Sequence, residues 1–214
     1  MAEQKMMSFL LFNPRPRRIV LIGLGGGSLI KYCYYRLPAT QLTAVELDPD
    51  VIALRDAFHL PADDARLQVL EADGADYLAE TEKGIDVLLV DAFDKIGFAP
   101  SLANREFFEQ AWAKLSGSGV LVINLAGEKE TYEGLIGEAM AMFDDQVIVV
   151  PVREDDNHLL LAFKEPNFTP NWRRLQTQAK VLRSKFDLDF PDFLEKLERS
   201  DRMELAQREA ERGG

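Results

Sequence analysis

The sequence predicts an α/β protein, a mostly parallel sheet flanked by helices and closed by an antiparallel hairpin. Three observations carry this. Strand and helix signals alternate regularly from "RRIVLIGL" to "TYEGLIGEAMAMF". The strand segments are near-continuous β-branched runs, as in strands buried on both faces of a parallel sheet. The final two apolar runs, "QVIVVPV" and "HLLLAF", are separated only by the five residues "REDDN", too few for a crossover helix.

The elements follow in order. "RRIVLIGL" is the first strand, and "SLIKYCYYRL" is a helix with Ser28 as its expected N-cap and Pro38 as its stop. "QLTAVEL" is the second strand, and "DPDVIALRDAF" a helix opened by Asp48 with Pro49 at its first position. "RLQVLEA", "IDVLLVDAF" and "GVLVINLA" are the third, fourth and fifth strands, with helices "ADYLAETE", "NREFFEQAWAKL" and "TYEGLIGEAMAMF" after them. Five strand–helix units ending in a hairpin describe a Rossmann-like sheet of the class I S-adenosylmethionine-dependent methyltransferase type, not the six-stranded dehydrogenase sheet. The expected domains are residues 1–17 as the remnant of an N-terminal segment, 18–166 as the Rossmann-like domain and 167–214 as a charged helical extension. The segment "MMSFLLF" reads as exposed apolar material, expected to pack on a second subunit. "FLEKLERSDRMELAQREAERGG" reads as a solvated helix or a tail packed on the sheet or a partner.

The 214 residues suit one full α/β domain with an extension, and 47% hydrophobic with 29% charged content is that of a globular protein. No apolar run reaches the length of a membrane span, and the first residues do not read as a secretory signal. The lone Cys33 fits a reducing compartment, so the expected location is the cytoplasm. A net charge of −11 argues against a nucleic-acid partner; it suits cationic substrates or simple solubility. His59 and His158, far apart in sequence and without cysteine neighbours, give no zinc site or histidine triad, and no metal is expected.

The candidate site lies along the ends of the strands. In "VLIGLGGGSL", Gly23, Gly25 and Gly27 let the backbone approach a nucleotide closely, but the spacing is not the dinucleotide fingerprint. Glu46, at the end of the second strand, is placed to accept from two ribose hydroxyls or is an exposed strand-end acid. Asp73, followed by Gly74, either faces an adenine amine or caps the following helix. Asp91 and Asp94 in "LLVDAFD" form a partly desolvated carboxylate pair. Such a ring of acids favours a nucleoside carrying a cation over one carrying phosphates.

The stretches "VLIGLGGGSL", "VELDPDVI", "ADGADYL" and "DVLLVDAFD" resemble the spermidine synthase (polyamine aminopropyltransferase) family, in register from about Met6 to Phe163. The resemblance implies a class I methyltransferase-like fold preceded by a small β domain, a homodimer or tetramer, and no metal. It implies decarboxylated S-adenosylmethionine as donor and a putrescine-like amine as acceptor. Gly23, Gly25 and Gly27 would hold the nucleoside and sulfonium side, Glu46 the ribose, and Asp73 with Gly74 the adenine. Asp91 would be the base and Asp94 its companion holding the amine. "KIGFAPSL" keeps Gly97, Ala99, Ser101 and Leu102 of a gate-like loop.

Four features depart from the family. Gly26 stands where the glycine loop usually carries an acid, "REDDN" replaces a Tyr-Pro-Ser-Gly, Lys95 replaces a proline, and most of the N-terminal β domain has no counterpart. Two other readings therefore stand beside aminopropyl transfer. One is a methyltransferase using S-adenosylmethionine itself; the other is a non-catalytic nucleoside-binding relative. Glu154, Asp155 or Asp156 lining the pocket would favour a polyamine acceptor.

Overall fold

The structure, a computed structural model, describes residues 5–92, 99–125, 129–152 and 157–212. Seven strands form a single sheet: β1 (Arg18–Ile22), β2 (Gln41–Glu46), β3 (Leu67–Glu71), β4 (Ile85–Val90), β5 (Leu115–Leu125), β6 (Val147–Val152) and β7 (Asn157–Phe163). Their order is β3-β2-β1-β4-β5-β7-β6. The first five strands are mutually parallel, and β7 runs antiparallel between β5 and β6. This is the sheet the alternating apolar runs predict. From β1 the chain winds outward to β3, then crosses back to β4 on the other side. The strand order thus reverses between β1 and β4, the place where open α/β sheets bind ligands.

Successive residues of each strand feed opposite faces. Ile19, Leu21, Val87, Leu89, Val120 and Val122 pack on one side, and Val20, Ile22, Leu88, Val90, Leu121 and Ile123 on the other. The second face is covered by α3 (Gly74–Glu80), α4 (Arg105–Lys114) and α5 (Lys129–Met142), through Leu78, Phe107, Phe108, Leu135 and Ala139. Leu29, Ile30 and Cys33 of α1 (Ser28–Arg36) join the first face. Beside them lie α6 (Trp172–Phe186), α7 (Phe190–Arg212) and a 3-10 turn at Met7–Leu11.

That turn corrects one expectation. Met6, Met7, Phe9, Leu10 and Leu11 are buried in the chain's own core, not offered to a second subunit. Gln178 Nε2 of α6 donates to Leu11 O at 2.9 Å and to Leu10 O at 3.3 Å, which fixes the turn. Each large apolar side chain so buried contributes about 1.5–3 kcal/mol. The groove that takes them is made by α6 and α7, whose Leu175, Ala179, Leu182, Phe186, Phe190, Phe193, Leu194 and Leu197 are also buried. The start of the charged tail is therefore an amphipathic helix packed on the sheet face.

Local departures are small. Gly27, not Ser28, occupies the N-cap of α1, at φ +68 and without a side-chain cap. The chain leaves β1 through the left-handed region, which glycine enters without a Cβ clash. The helix opened by Asp48 is short: α2 is Pro49–Ala53, with Asp48 Oδ1 accepting from Asp50 N at 2.9 Å. Among the described residues no helix is long and apolar enough to cross a membrane.

Candidate active site

The carboxyl ends of β4, β1, β2 and β3 are tied into one edge by backbone hydrogen bonds. Asp91 N donates to Ile22 O at 2.9 Å, Gly23 N to Val45 O at 2.8 Å, and Ala72 N to Glu46 O at 3.0 Å. The turns after these strands thus lie side by side, and each of the described candidate residues sits in one of them.

Gly23 has φ +91, and a Cβ there would fall 2.3 Å from Asp91 O. That oxygen belongs to the backbone and cannot swing aside, so only glycine fits between the two loops. A Cβ on Gly25 or Gly26 would meet nothing within 4 Å, so the middle of the loop faces open space. Glu46 spans the gap to the next strand: its Oε2 accepts from Leu24 N at 2.7 Å and its Oε1 from Asp48 N at 2.9 Å. A carboxylate oxygen accepts more than one hydrogen bond. Glu46 can hold the loop and still accept from a ligand hydroxyl.

Asp73 performs the capping role weighed for it. Its Oδ1 accepts from Ala75 N at 2.7 Å and from Asp76 N at 3.3 Å, at the N-terminus of α3. Both bonds fall on one oxygen, so these contacts leave Oδ2 open to a ligand. A Cβ on Gly74 would fall 2.4 Å from Ile22 Cγ2, so this glycine lets α3 close on β1.

Asp91 follows β4 directly. Burial pushes its carboxyl above the usual aspartate range, opposed in part by a hydrogen bond from Asn124 Nδ2 to its Oδ1 at 2.9 Å. Asn124, from β5, is 6% exposed and was not among the residues singled out from the sequence. The signal was present: it is the one polar residue in the apolar run "VLVINL". Asp94, Lys95 and Gly97 lie outside the described residues, as do Glu154, Asp155 and Asp156. The chain leaves the site at Ala92 and is described again from Ala99, whose N–H donates to Ala92 O at 3.2 Å. Pro100–Leu102 then form a 3-10 turn, with Leu102 buried against α3. Among the described residues no group of His, Cys, Asp and Glu is placed to hold a metal.

The model of the spermine/spermidine synthase domain matches residues 2–139. The chain belongs to the spermine/spermidine synthase family. It is 34% identical over 200 residues to a polyamine aminopropyltransferase of Chromobacterium violaceum, covering 93% of this chain and 77% of that one. A polyamine aminopropyltransferase of Neisseria meningitidis serogroup A is also 34% identical, over 201 residues, covering 93% and 76%. Membership of this aminopropyltransferase family makes the protein a transferase.

Solved structures agree on the fold. Human methyltransferase-like protein 13, solved in complex with SAH, superposes with a TM-score of 0.76 at 23% identity, over 87% of this chain and 90% of that one. A spermidine synthase in complex with the transition state analogue AdoDATO gives 0.56 at 16% identity, over 86% and 75%. The expected class I methyltransferase-like sheet is thus present.

Proposed function

We propose that the protein transfers an aminopropyl group from decarboxylated S-adenosylmethionine to a putrescine-like amine. The observation that carries this reading is Asp91: an acid at the point of strand-order reversal, largely buried and held by one neutral donor. A partly buried carboxylate to which no described side chain brings a cation is suited to receive a proton from, and hold, a substrate ammonium. In this reading Gly23, Gly25 and Gly27 make room for the nucleoside, Glu46 accepts from the ribose hydroxyls, and Asp73 with Gly74 faces the adenine. Asp94 holds the amine beside Asp91.

The reaction balances as an in-line displacement. An ammonium has no lone pair, so its proton passes to Asp91. The freed nitrogen attacks the aminopropyl carbon bonded to sulfur, the C–N bond forms and the C–S bond breaks. The bonding pair goes to sulfur, which leaves as a neutral thioether. Alignment of nitrogen, carbon and sulfur supplies much of the acceleration.

Gly26 supports a second reading, methyl transfer from S-adenosylmethionine itself. No acid stands at that position to attract an aminopropyl ammonium or repel a carboxylate. Calorimetry separates the two, with each donor titrated with and without putrescine and the products identified. Preference for the decarboxylated donor, with a thioether and an aminopropylated amine as products, is the expected result. Preference for the carboxylated donor would replace the first reading by the second; binding of neither would leave a relative without turnover.

A further inference from the structure

Asn124 is a buried polar residue at a strand position whose neighbours in sequence are apolar. Its neighbours Val120, Leu121, Val122, Ile123 and Leu125 are all buried, and Asn124 is buried with them. Its Nδ2 is used, on Asp91 Oδ1 at 2.9 Å, but its Oδ1 has no hydrogen-bond partner among the described residues. A buried carbonyl without a donor costs about 1–3 kcal/mol. Folding alone gives no reason to keep it.

The geometry points to Asn124 as the positioning residue of the site. By our inference it fixes Asp91 through Nδ2 and offers its Oδ1 to an N–H of the reacting amine. This rests on the reading of Asp91 as the base. The residue reaches Asp91 from the neighbouring strand: Val90 of β4 pairs with Ile123 of β5, and the next residues are Asp91 and Asn124. A charged amine nitrogen carries up to three N–H donors. It can satisfy a carboxylate oxygen of Asp91 and the orphan carbonyl of Asn124 together. The donor's sulfonium has no N–H, although its aminopropyl ammonium does; the assignment concerns the acceptor because the nitrogen that gives its proton to Asp91 is the acceptor's.

The amide also sets the protonation of the base. Among the described residues only burial and the Asn124 N–H act on the Asp91 carboxyl, and no charged side chain faces it. Asp94, the other acid assigned to the site, lies outside those residues. The N–H favours the ionised carboxylate, the form that accepts a proton. Its removal leaves burial unopposed, so Asp91 stays protonated to higher pH.

The test compares wild type with Asn124→Leu, Asn124→Asp and Asn124→Gln, using putrescine and decarboxylated S-adenosylmethionine. The Asp91 carboxyl is followed by carbon-13 NMR titration in the donor-free protein, its signal assigned with Asp91→Asn. The expected result for Asn124→Leu is kcat/KM for putrescine lower by about 10- to 100-fold, the worth of one hydrogen bond to a charged group. The acid limb of the pH profile and the Asp91 titration both move to higher pH, and Asn124→Gln, which keeps the amide, recovers part of each. If Asn124→Leu does not fold, Asn124→Asp, equal in size, is expected to raise the Asp91 titration and the acid limb together, its own charge adding to the loss of the donor. An unchanged Asp91 titration in a folded variant overturns the inference. A titration that depends on Asn124 in a protein that transfers no aminopropyl group would instead overturn the reading of the reaction and leave the positioning role standing.

Discussion

Two aspartates mark the two ends of one strand, and their surroundings differ. Asp86, at the amino end of β4, is 7% exposed and receives three donors: Arg17 N at 2.7 Å, Arg18 N at 3.2 Å and Ser116 Oγ at 3.0 Å. Asp91, just past the carboxyl end, has among the described residues only the Asn124 amide. Asp86 pins β1 and β5 to β4 and has both carboxylate oxygens engaged. Asp91 is desolvated without being fully compensated, which is costly for folding and useful for receiving a proton or a cation. A buried acid with a full set of donors is part of the scaffold; the acid with a single described donor is the one we propose for the chemistry.

The sharpest way to break this contrast is Asp91→Asn. Loss of the base is expected to lower turnover by about 10²- to 10⁴-fold, while calorimetry shows nearly unchanged affinity for the nucleoside donor. Loss of donor binding together with turnover would remove Asp91 from the base role. Asp86→Ala should do the reverse. It strands two backbone N–H groups and a hydroxyl, so urea unfolding should register a loss of about 2–4 kcal/mol, with turnover retained by the folded fraction. A fully stable Asp86→Ala protein would end the distinction between the two acids.

The smallest effect lies in the pH dependence of stability. The folded-state pKa of Asp91 is raised above its unfolded value, so between the two the folded chain holds a proton that the unfolded chain has released. Stability from this group therefore falls as pH rises through that window. Asp91→Asn, which cannot ionise, should be more stable than wild type above the window. The difference should vanish below the ordinary aspartate range. Melting curves at several pH values check it, and a gain that persists in acid would point to packing in place of charge.

Most of the fold was legible because its signals are local. Strands such as "RRIVLIGL" announce burial on both faces, and "REDDN" is too short for anything but a hairpin. The two terminal segments were harder because each needs the other. Phe190, Phe193, Leu194 and Leu197 repeat at helical spacing, but the surrounding charges hid that stripe, and "MMSFLLF" gives no hint of what covers it. At the candidate site, the placement of the glycine loop, Glu46, Asp73 and Asp91 on one edge of the sheet could be read from the strand ends alone. Asn124 could not, since its meaning depends on which strand lies next to β4.

The hydrogen bond from Gln178 to Leu11 O spans 167 residues of sequence. As the chain is synthesised, the apolar turn at Met7–Leu11 emerges well before the helices that cover it. Until then the turn and one face of the growing sheet are apolar surface exposed to water, open to premature association. Contacts this distant in sequence also form slowly, because a long loop must close before they are rewarded. Closure over the turn therefore has to wait until α6 and α7 are made, and a ribosome-bound chain stopped before α6 should be held in an aggregation-prone state.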